Sequence, residues 1–262
     1  DIEYIDKVGY PPIRLKGKLI SNYTVSLPAN VSSQYLSSLM MLGISLSEGL
    51  IINLSTKITS LPYIKMTKEL IERVGGKIFI QPDKIIVEPI LENKISDQTV
   101  ESDWSSASYF YSLVALSDFS EITISSFFKK SIQGDSRIVE LYKQFGVETK
   151  FRDNKISLKK NKIVLPDSIS INLKDNPDLA QTIVITCLGL GVDCDLQGLH
   201  TLKIKETDRL LALKKEIEKF DVDRVDVSDQ SITLKNNSVL TTGVSIDTYN
   251  DHRMALSFAP LS

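Results

Sequence analysis

The stretch "KIKETDRL", residues 203–210, packs five charges into eight positions. Lys205 and Arg209 are four residues apart, which on a helix puts them on one face of the opening turn. Like charges at that spacing repel, and the helix dipole favours anions at an N-terminus over cations. Glu206 and Asp208 therefore suit such a position, whereas Lys205 and Arg209 do not. A further cation, Arg253, follows Asp251 and His252 in "YNDHRMA". Capping a helix calls for Ser, Thr, Asp or Asn and never for a cation. A bound phosphate or carboxylate would offset both penalties and match the forked geometry of arginine. For the 203–210 segment alone, a solvated charged helix end is the plainer alternative.

The elements that must position these residues repeat. Ser32-Ser33 opens "SSQYLSSLMML", Ser105-Ser106 opens "SSASYFYSLVAL", Asp178-Leu179 opens "DLAQTIVITCLGL" and Asp251-His252 opens "DHRMALSF". Each start lies 73 residues after the one before (32, 105, 178, 251), and a fixed period of that kind marks a repeated architecture. A β-rich stretch precedes each start: "YTVSLP", "QTVES", "SISINL" and "VSIDT". Each apolar run is long enough for a buried helix. A strand follows it ("LIINLS", "EITISS", "DCDLQG"), then an amphipathic helix ("MTKELIERVG", "GDSRIVELYKQFG", "KETDRLLALKKEIEKF"), then two short strands. Leu210, Leu213, Ile217 and Phe220 fall at helical spacing, and Gly75 and Gly146 are the expected stops of the first two amphipathic helices.

The unit is βαβαββ, present about three times with a fourth begun. Its first helix is apolar nearly all round: Leu36, Leu39, Met40, Met41, Leu42 and Ile44 leave little polar face, so burial is expected. The strands alternate, which suits sheets with one wet face. The expected fold class is therefore α/β (α+β), as inverse α/β barrel-like domains with buried parallel helices and outward-facing sheets. A domain break is expected near Asn93–Val100, giving a partial N-terminal domain at 1–99 and a C-terminal domain at 100–262, truncated at its end. Parallel buried helices bring their N-termini, and the partial positive charge there, to a common end, which makes an anion site. Ser32, Ser105, Asp178 and Asp251 could also be plain caps, the reading favoured for Ser105.

Composition narrows the function classes. A formal charge of −2 gives no electrostatic case for a nucleic-acid or anionic-membrane partner. The densest basic run, Lys155–Lys162, reads as the solvated face of a hairpin. The longest apolar stretch, "TIVITCLGLGV", is too short to span a bilayer. Cys187 and Cys194 show no metal spacing, and two histidines cannot build a metal site alone. Reduced thiols in the cytoplasm are the default reading. A first residue of Asp and a last helix barely begun suggest a piece of a longer protein.

"NVSSQYL", "SLPYIKMT", "SASYF", "QGDSRI", "NPDLAQT", "KIKETDRL" and "YNDHRMA" together resemble the 5-enolpyruvylshikimate-3-phosphate (EPSP) synthase family, in order and at matching distances. The resemblance implies two domains of three βαβαββ units each, with the site in the cleft at the helix N-termini. It implies transfer of the enolpyruvyl group of phosphoenolpyruvate to the 5-hydroxyl of shikimate 3-phosphate, with release of phosphate, no cofactor and a monomeric parent protein. By the same resemblance Ser32, Ser33, Ser60, Tyr63 and Lys205 hold shikimate 3-phosphate, and Gln34 lies between the two substrates. Asp178 contacts the shikimate hydroxyls and accepts the proton of the attacking one, and Glu206 is a second acid/base group. Arg209 and Arg253 clamp phosphoenolpyruvate.

Several family features have no match in these 262 residues: the substrate-binding segment before the first unit, a glycine-rich loop and a C-terminal lysine. Thr201 stands where an asparagine is common, and Leu61 where a lysine is usual. Low or no activity is expected of the isolated chain. The rivals are a UDP-N-acetylglucosamine enolpyruvyl transferase, which is recognised by a reactive loop cysteine, and a non-catalytic anion-binding module.

Overall fold

The computed structural model describes residues 2–18, 20–30, 32–91, 97–236 and 240–261. Asn93 to Ser96 of the expected domain break lie outside the described residues. A hairpin of β1 (Ile2–Tyr4) and β2 (Ile13–Leu15), which the repeat did not announce, leads the chain. The first unit runs β3 (Thr24–Leu27), α1 (Ser33–Gly43), β4 (Leu50–Leu54), α2 (Leu61–Arg73), β5 (Lys77–Ile80), β6 (Lys84–Glu88). The second runs α3 (Trp104–Leu116), β7 (Glu121–Ser125), a short α4 (Ile138–Leu141) with a 3-10 turn on either side, β8 (Val147–Arg152), β9 (Lys155–Lys160). The third runs β10 (Ser168–Asn172), α5 (Ala180–Leu190), β11 (Asp193–Gln197), α6 (Arg209–Glu218), β12 (Arg224–Val227), β13 (Ser231–Lys235). The fourth opens with α7 (His252–Phe258).

The sheets carry the repeat in their topology. The first and third units have the same strand order, β3-β4-β6-β5 and β10-β11-β13-β12. In both, the strand before the first helix pairs in parallel with the strand after it, and the remaining pairs are antiparallel. The second unit's sheet is β7-β9-β8, the same order without its first strand. The basic run forms the second strand of the β8–β9 hairpin, turned by Asp153 and Asn154, both at positive φ (49° and 57°) as a tight two-residue hairpin turn requires.

Two expected strands are absent. "QTVES" forms no ladder. Ser102 reaches the neighbouring strand end, its N–H to Ser126 O and its hydroxyl to Ser125 O. The Glu101 carboxylate pulls the chain aside by accepting from Trp104 Nε1, the Phe128 N–H and Ser131 Oγ. "VSIDT" is also irregular. Its counterparts β3 and β10 pair with the strand after the following helix, and none of the described residues after α7 forms a strand.

Helices lie inside the second and third units. Along α5, residues from Ala180 to Leu188 are all buried, and each fully buried aliphatic side chain there stabilises by roughly 1.5–3 kcal/mol. Buried hydroxyls align α3 with α5: Ser108 Oγ meets Thr182 Oγ1 at 2.8 Å, and Thr186 Oγ1 donates to Ser112 Oγ at 2.8 Å. The pairs run in the same order along both helices, so the two helices are parallel. Tyr142 OH reaches Thr186 Oγ1 at 2.8 Å, and Cys187 is buried in the same helix.

The apolar residues form two clusters, one from Ala29 to Val87 and one from Trp104 to Phe258. Contrary to expectation, α1 is only half buried. Leu36 and Met40 are enclosed, but Met41 is 54% exposed and Leu42 43% exposed. The single first unit covers one side of α1 with α2 and its own sheet, and no second or third apolar helix packs on the other side as α5 and α7 do on α3.

The hydroxyl ladder has a measurable consequence. Thr186→Val should lower the unfolding free energy by about 1–3 kcal/mol, because the buried hydroxyls of Tyr142 and Ser112 lose a partner. A drop in the urea midpoint at unchanged slope checks this.

Candidate active site

A cavity of about 500 Å³ separates the two apolar clusters, and helix beginnings line it. From the first unit come Ser32, Ser33 and Gln34 at the start of α1, with Ser60 and Tyr63 at the start of α2. From the third unit come Asp178, just before α5, and Thr201, Lys205 and Glu206, just before α6. Ser32 caps α1 by accepting from the Gln34 N–H, and Asp251 caps α7 by accepting from the Arg253 N–H at 2.8 Å. Ser105 is not a cap: Asp103 takes that place on α3. Asp178 is not one either. It lies in a 3-10 turn, Pro177–Leu179, with no capping bond from a side chain.

Because Asp178 caps nothing, its carboxylate is left for cations. Arg253 NH2 reaches Oδ2 at 3.1 Å, while Arg209 NH1 at 3.3 Å and Lys205 Nζ at 3.6 Å reach Oδ1. Arg209 is 1% exposed and surrounded by acids. Its Nε donates to Asp251 Oδ2 at 2.7 Å and its NH2 to Glu206 Oε2 at 2.5 Å. Arg209 and Arg253 thus form a layer behind the cavity wall, joined to it through Asp178 and Glu206.

The backbone changes the reading of "KIKETDRL". Lys205 is extended (φ −92°, ψ −152°), and α6 begins only at Arg209. Asp208 is the cap that fixes this start, accepting from the Leu211 N–H at 3.2 Å. Lys205 and Arg209 are therefore not neighbours on one helical face. Both reach Asp178 Oδ1, and the negative charge between them offsets the expected repulsion.

Sequence reasoning gave no role to Asp135, from "QGDSRI". It is buried, and its carboxylate accepts from Tyr63 OH at 2.9 Å, Ser105 Oγ and Asn176 Nδ2 at 3.2 Å. The Tyr63 bond ties the first unit to the second. Burial pushes the Asp135 carboxyl upward, partly offset by these donors, and burial with the nearby Asp135 charge pushes the Tyr63 phenol up. An acid followed by a serine at a helix start is common, so only the fold reveals this hub. Thr201 lines the cavity with a buried hydroxyl that has no hydrogen-bond partner among the described residues. Leu61, where the family pattern suggests a lysine, packs against the first unit's core.

Electrostatics favours the charged forms. Burial opposes the charge on Arg253, but Asp178 and its other anionic neighbours outweigh it and hold the guanidinium above its ordinary value. Burial likewise opposes the charge on Asp251. The bonds from Arg209 and the Arg253 N–H prevail and hold that carboxyl below the usual range. Among the described residues, no group of three His, Cys, Asp or Glu is placed to hold a metal ion, and no helix is long and apolar enough to cross a membrane.

Comparison with known proteins is decisive at the level of family. The family model for EPSP synthase (3-phosphoshikimate 1-carboxyvinyltransferase) matches residues 1–262. The chain belongs to the EPSP synthase family. A 3-phosphoshikimate 1-carboxyvinyltransferase of Bacteroides fragilis is 41% identical over 260 residues, covering 99% of this chain and 63% of the relative. That of Colwellia psychrerythraea is 30% identical, covering 99% and 60%. The chain therefore spans about three fifths of the length of these EPSP synthase relatives. A solved EPSP synthase from Acinetobacter baumannii matches 99% of this chain and 60% of its own, with a TM-score of 0.68 at 18% identity. The fold is thus the inside-out α/β arrangement of that family.

The Asp251 bonds predict an acid response. The folded carboxyl lies below its unfolded value of about 3.9, so its stabilisation is complete above about pH 4 and is lost as the pH falls through the lower, folded value. Asp251→Asn should lower the melting temperature at pH 7 and show a shallower loss between about pH 4 and 2 than the unmodified chain. Melting curves across that range check it.

Proposed function

We propose that this chain forms most of the catalytic cleft of an enzyme that transfers the enolpyruvyl group of phosphoenolpyruvate to the 5-hydroxyl of shikimate 3-phosphate and releases phosphate. One observation carries the reading. The cavity sets uncharged donors of the first unit (Ser32, Ser33, Gln34, Ser60) opposite Asp178, Lys205 and Glu206 of the third, with Arg209 and Arg253 directly behind. Backbone N–H groups at the helix starts and hydroxyls suit a phosphate, and paired guanidinium groups suit a second anion. The two apolar clusters belong to two domains divided near residue 100, and the protein acts in the cytoplasm.

In this reading Ser32, Ser33, Ser60, Tyr63 and Lys205 hold shikimate 3-phosphate, and Gln34 bridges the two substrates. Asp178 takes the proton of the 5-hydroxyl as that oxygen bonds to the substituted carbon of phosphoenolpyruvate. Glu206 supplies a proton to the methylene carbon. Reversing that proton transfer expels phosphate, which takes up the proton held on Asp178, and restores the enol ether. Two carboxylates serve opposite roles because their surroundings differ: Asp178 touches three cations, whereas Glu206 is 47% exposed and touches one. Arg209 and Arg253 balance the carboxylate and phosphate charge as it shifts. Both cysteines are buried, which leaves no exposed thiol among the described residues for the rival transferase reading.

Titrating shikimate 3-phosphate into the 262-residue chain should show saturable binding without turnover. In a chain of the relatives' full length, phosphate should be released with shikimate 3-phosphate and not with UDP-N-acetylglucosamine. There, Asp178→Asn should cut kcat by roughly 10²–10⁴ with KM changed only several-fold. Unchanged kcat would remove Asp178 from the proton transfer.

A further inference from the structure

The segment 240–251 reaches α7 without a strand or helix of its own, yet it must set Asp251 against Arg209 and Arg253 against Asp178. It does so through two consecutive non-glycine residues in the left-handed region, Tyr249 and Asn250, both at φ 55°. That conformation is unfavourable for a tyrosine and persists only where its surroundings impose it.

The surroundings include a buried acid on the apolar face of α6. Glu216 is wholly buried beside Leu213 and Ile217, a position where an unpaired carboxylate would be costly. Its Oε1 accepts from Tyr249 OH at 2.7 Å. Its Oε2 accepts from the Asp247 N–H at 2.9 Å and from Lys219 Nζ at 2.6 Å. Lys219 Nζ also donates to Ser245 O at 3.1 Å and Asp247 Oδ2 at 3.2 Å. The bond to Glu216, helped by burial, pushes the Tyr249 phenol up to about 12, so it remains a donor at neutral pH.

Arg209 and Glu216 are seven residues apart on α6, two turns or about 10 Å along its axis. Arg209 grips Asp251, and Glu216 grips Tyr249 two residues earlier. The segment between them is held at both ends by one rigid helix.

We propose that Glu216 is a positioning residue: through Tyr249 it fixes the left-handed pair that aims Asp251 and Arg253 at the site. The ligand side of this inference rests on the enolpyruvyl-transfer reading, with phosphoenolpyruvate as the anion facing Arg253. The backbone side does not depend on that reading.

The test has two arms, using Glu216→Gln and Tyr249→Phe. The second variant removes one hydroxyl on a half-buried ring, so it stays informative if the first fails to fold. In the 262-residue chain, hydrogen exchange should quicken at least tenfold at the Asp251 and Arg253 amides, which bond to Thr248 O and Asp251 Oδ1. Exchange within α5 should change less than twofold. Uniform acceleration, or none, overturns the proposal. In the full-length protein with shikimate 3-phosphate present, both variants should weaken phosphoenolpyruvate binding at least tenfold and shikimate 3-phosphate binding less than twofold. Equal weakening of both ligands assigns Glu216 a merely structural role and overturns it. If the unmodified protein binds neither ligand, the functional reading fails, and the exchange arm still decides what Glu216 does.

Discussion

A guanidinium that is 1% exposed survives only where its N–H groups find acceptors, and Arg209 meets that demand with Asp178, Glu206 and Asp251. The consequences spread through the third and fourth units. Asp251 must begin α7 close to α6. Asp178 sits in a 3-10 turn, caps nothing and gives both oxygens to cations. Glu206 must precede the helix start that Asp208 sets. Removing one acid from such a cluster leaves buried charge uncompensated, whereas the intact set is close to neutral. The helix starts therefore meet at one cavity because a single cation holds three of the relevant segments together.

The first unit joins this cluster by a different chemistry. Its contribution to the cavity is hydroxyl, amide and backbone N–H, and its tie to the second unit is the Tyr63 bond to Asp135. Asp135 has no cation partner in this network, and its three donors are neutral. The Tyr63 bond is a single hydrogen bond to a carboxylate, worth about 1.5–3 kcal/mol, set against the several ion pairs that hold Arg209. The acid–arginine lattice thus fixes one wall firmly, and the opposite wall is attached by a weaker link.

Much of this architecture was readable from spacing. The 73-residue period located the starts of α1, α3, α5 and α7, because a buried helix needs an unbroken apolar run and such runs are conspicuous. It failed where an element depends on a partner distant in sequence. "QTVES" alternates like a strand, but Glu101 finds better partners in the loop than a ladder would offer. The apolar run of α1 suggested full enclosure, yet enclosure requires neighbouring helices that one unit alone does not provide. The types of the site residues were legible because cations at helix starts conflict with the dipole. Their pairing was not. Helical spacing put Lys205 beside Arg209, and only the cap at Asp208 shows that the helix starts four residues later. Asp135 and Glu216 were silent for a related reason: a buried carboxylate in an amphipathic pattern looks like any surface acid until its donors are seen.

The same lattice constrains how any anion could enter. The three cations nearest the cavity are paired with carboxylates, so an incoming phosphate or carboxylate has to compete for Arg209 and Arg253 with groups held at 2.5–3.3 Å. Glu206 is the acid most easily displaced, since it is the most exposed member and has Arg209 as its cationic partner. Asp251 is the least, being enclosed and fixed by its role as a helix cap. A ligand anion that takes the place of Glu206 on Arg209 frees that carboxylate into the cavity and weakens the cationic field around it. Asp178 stays flanked by Lys205 and Arg253 through such an exchange, so the rest of the charged wall keeps its place while Glu206 gives way.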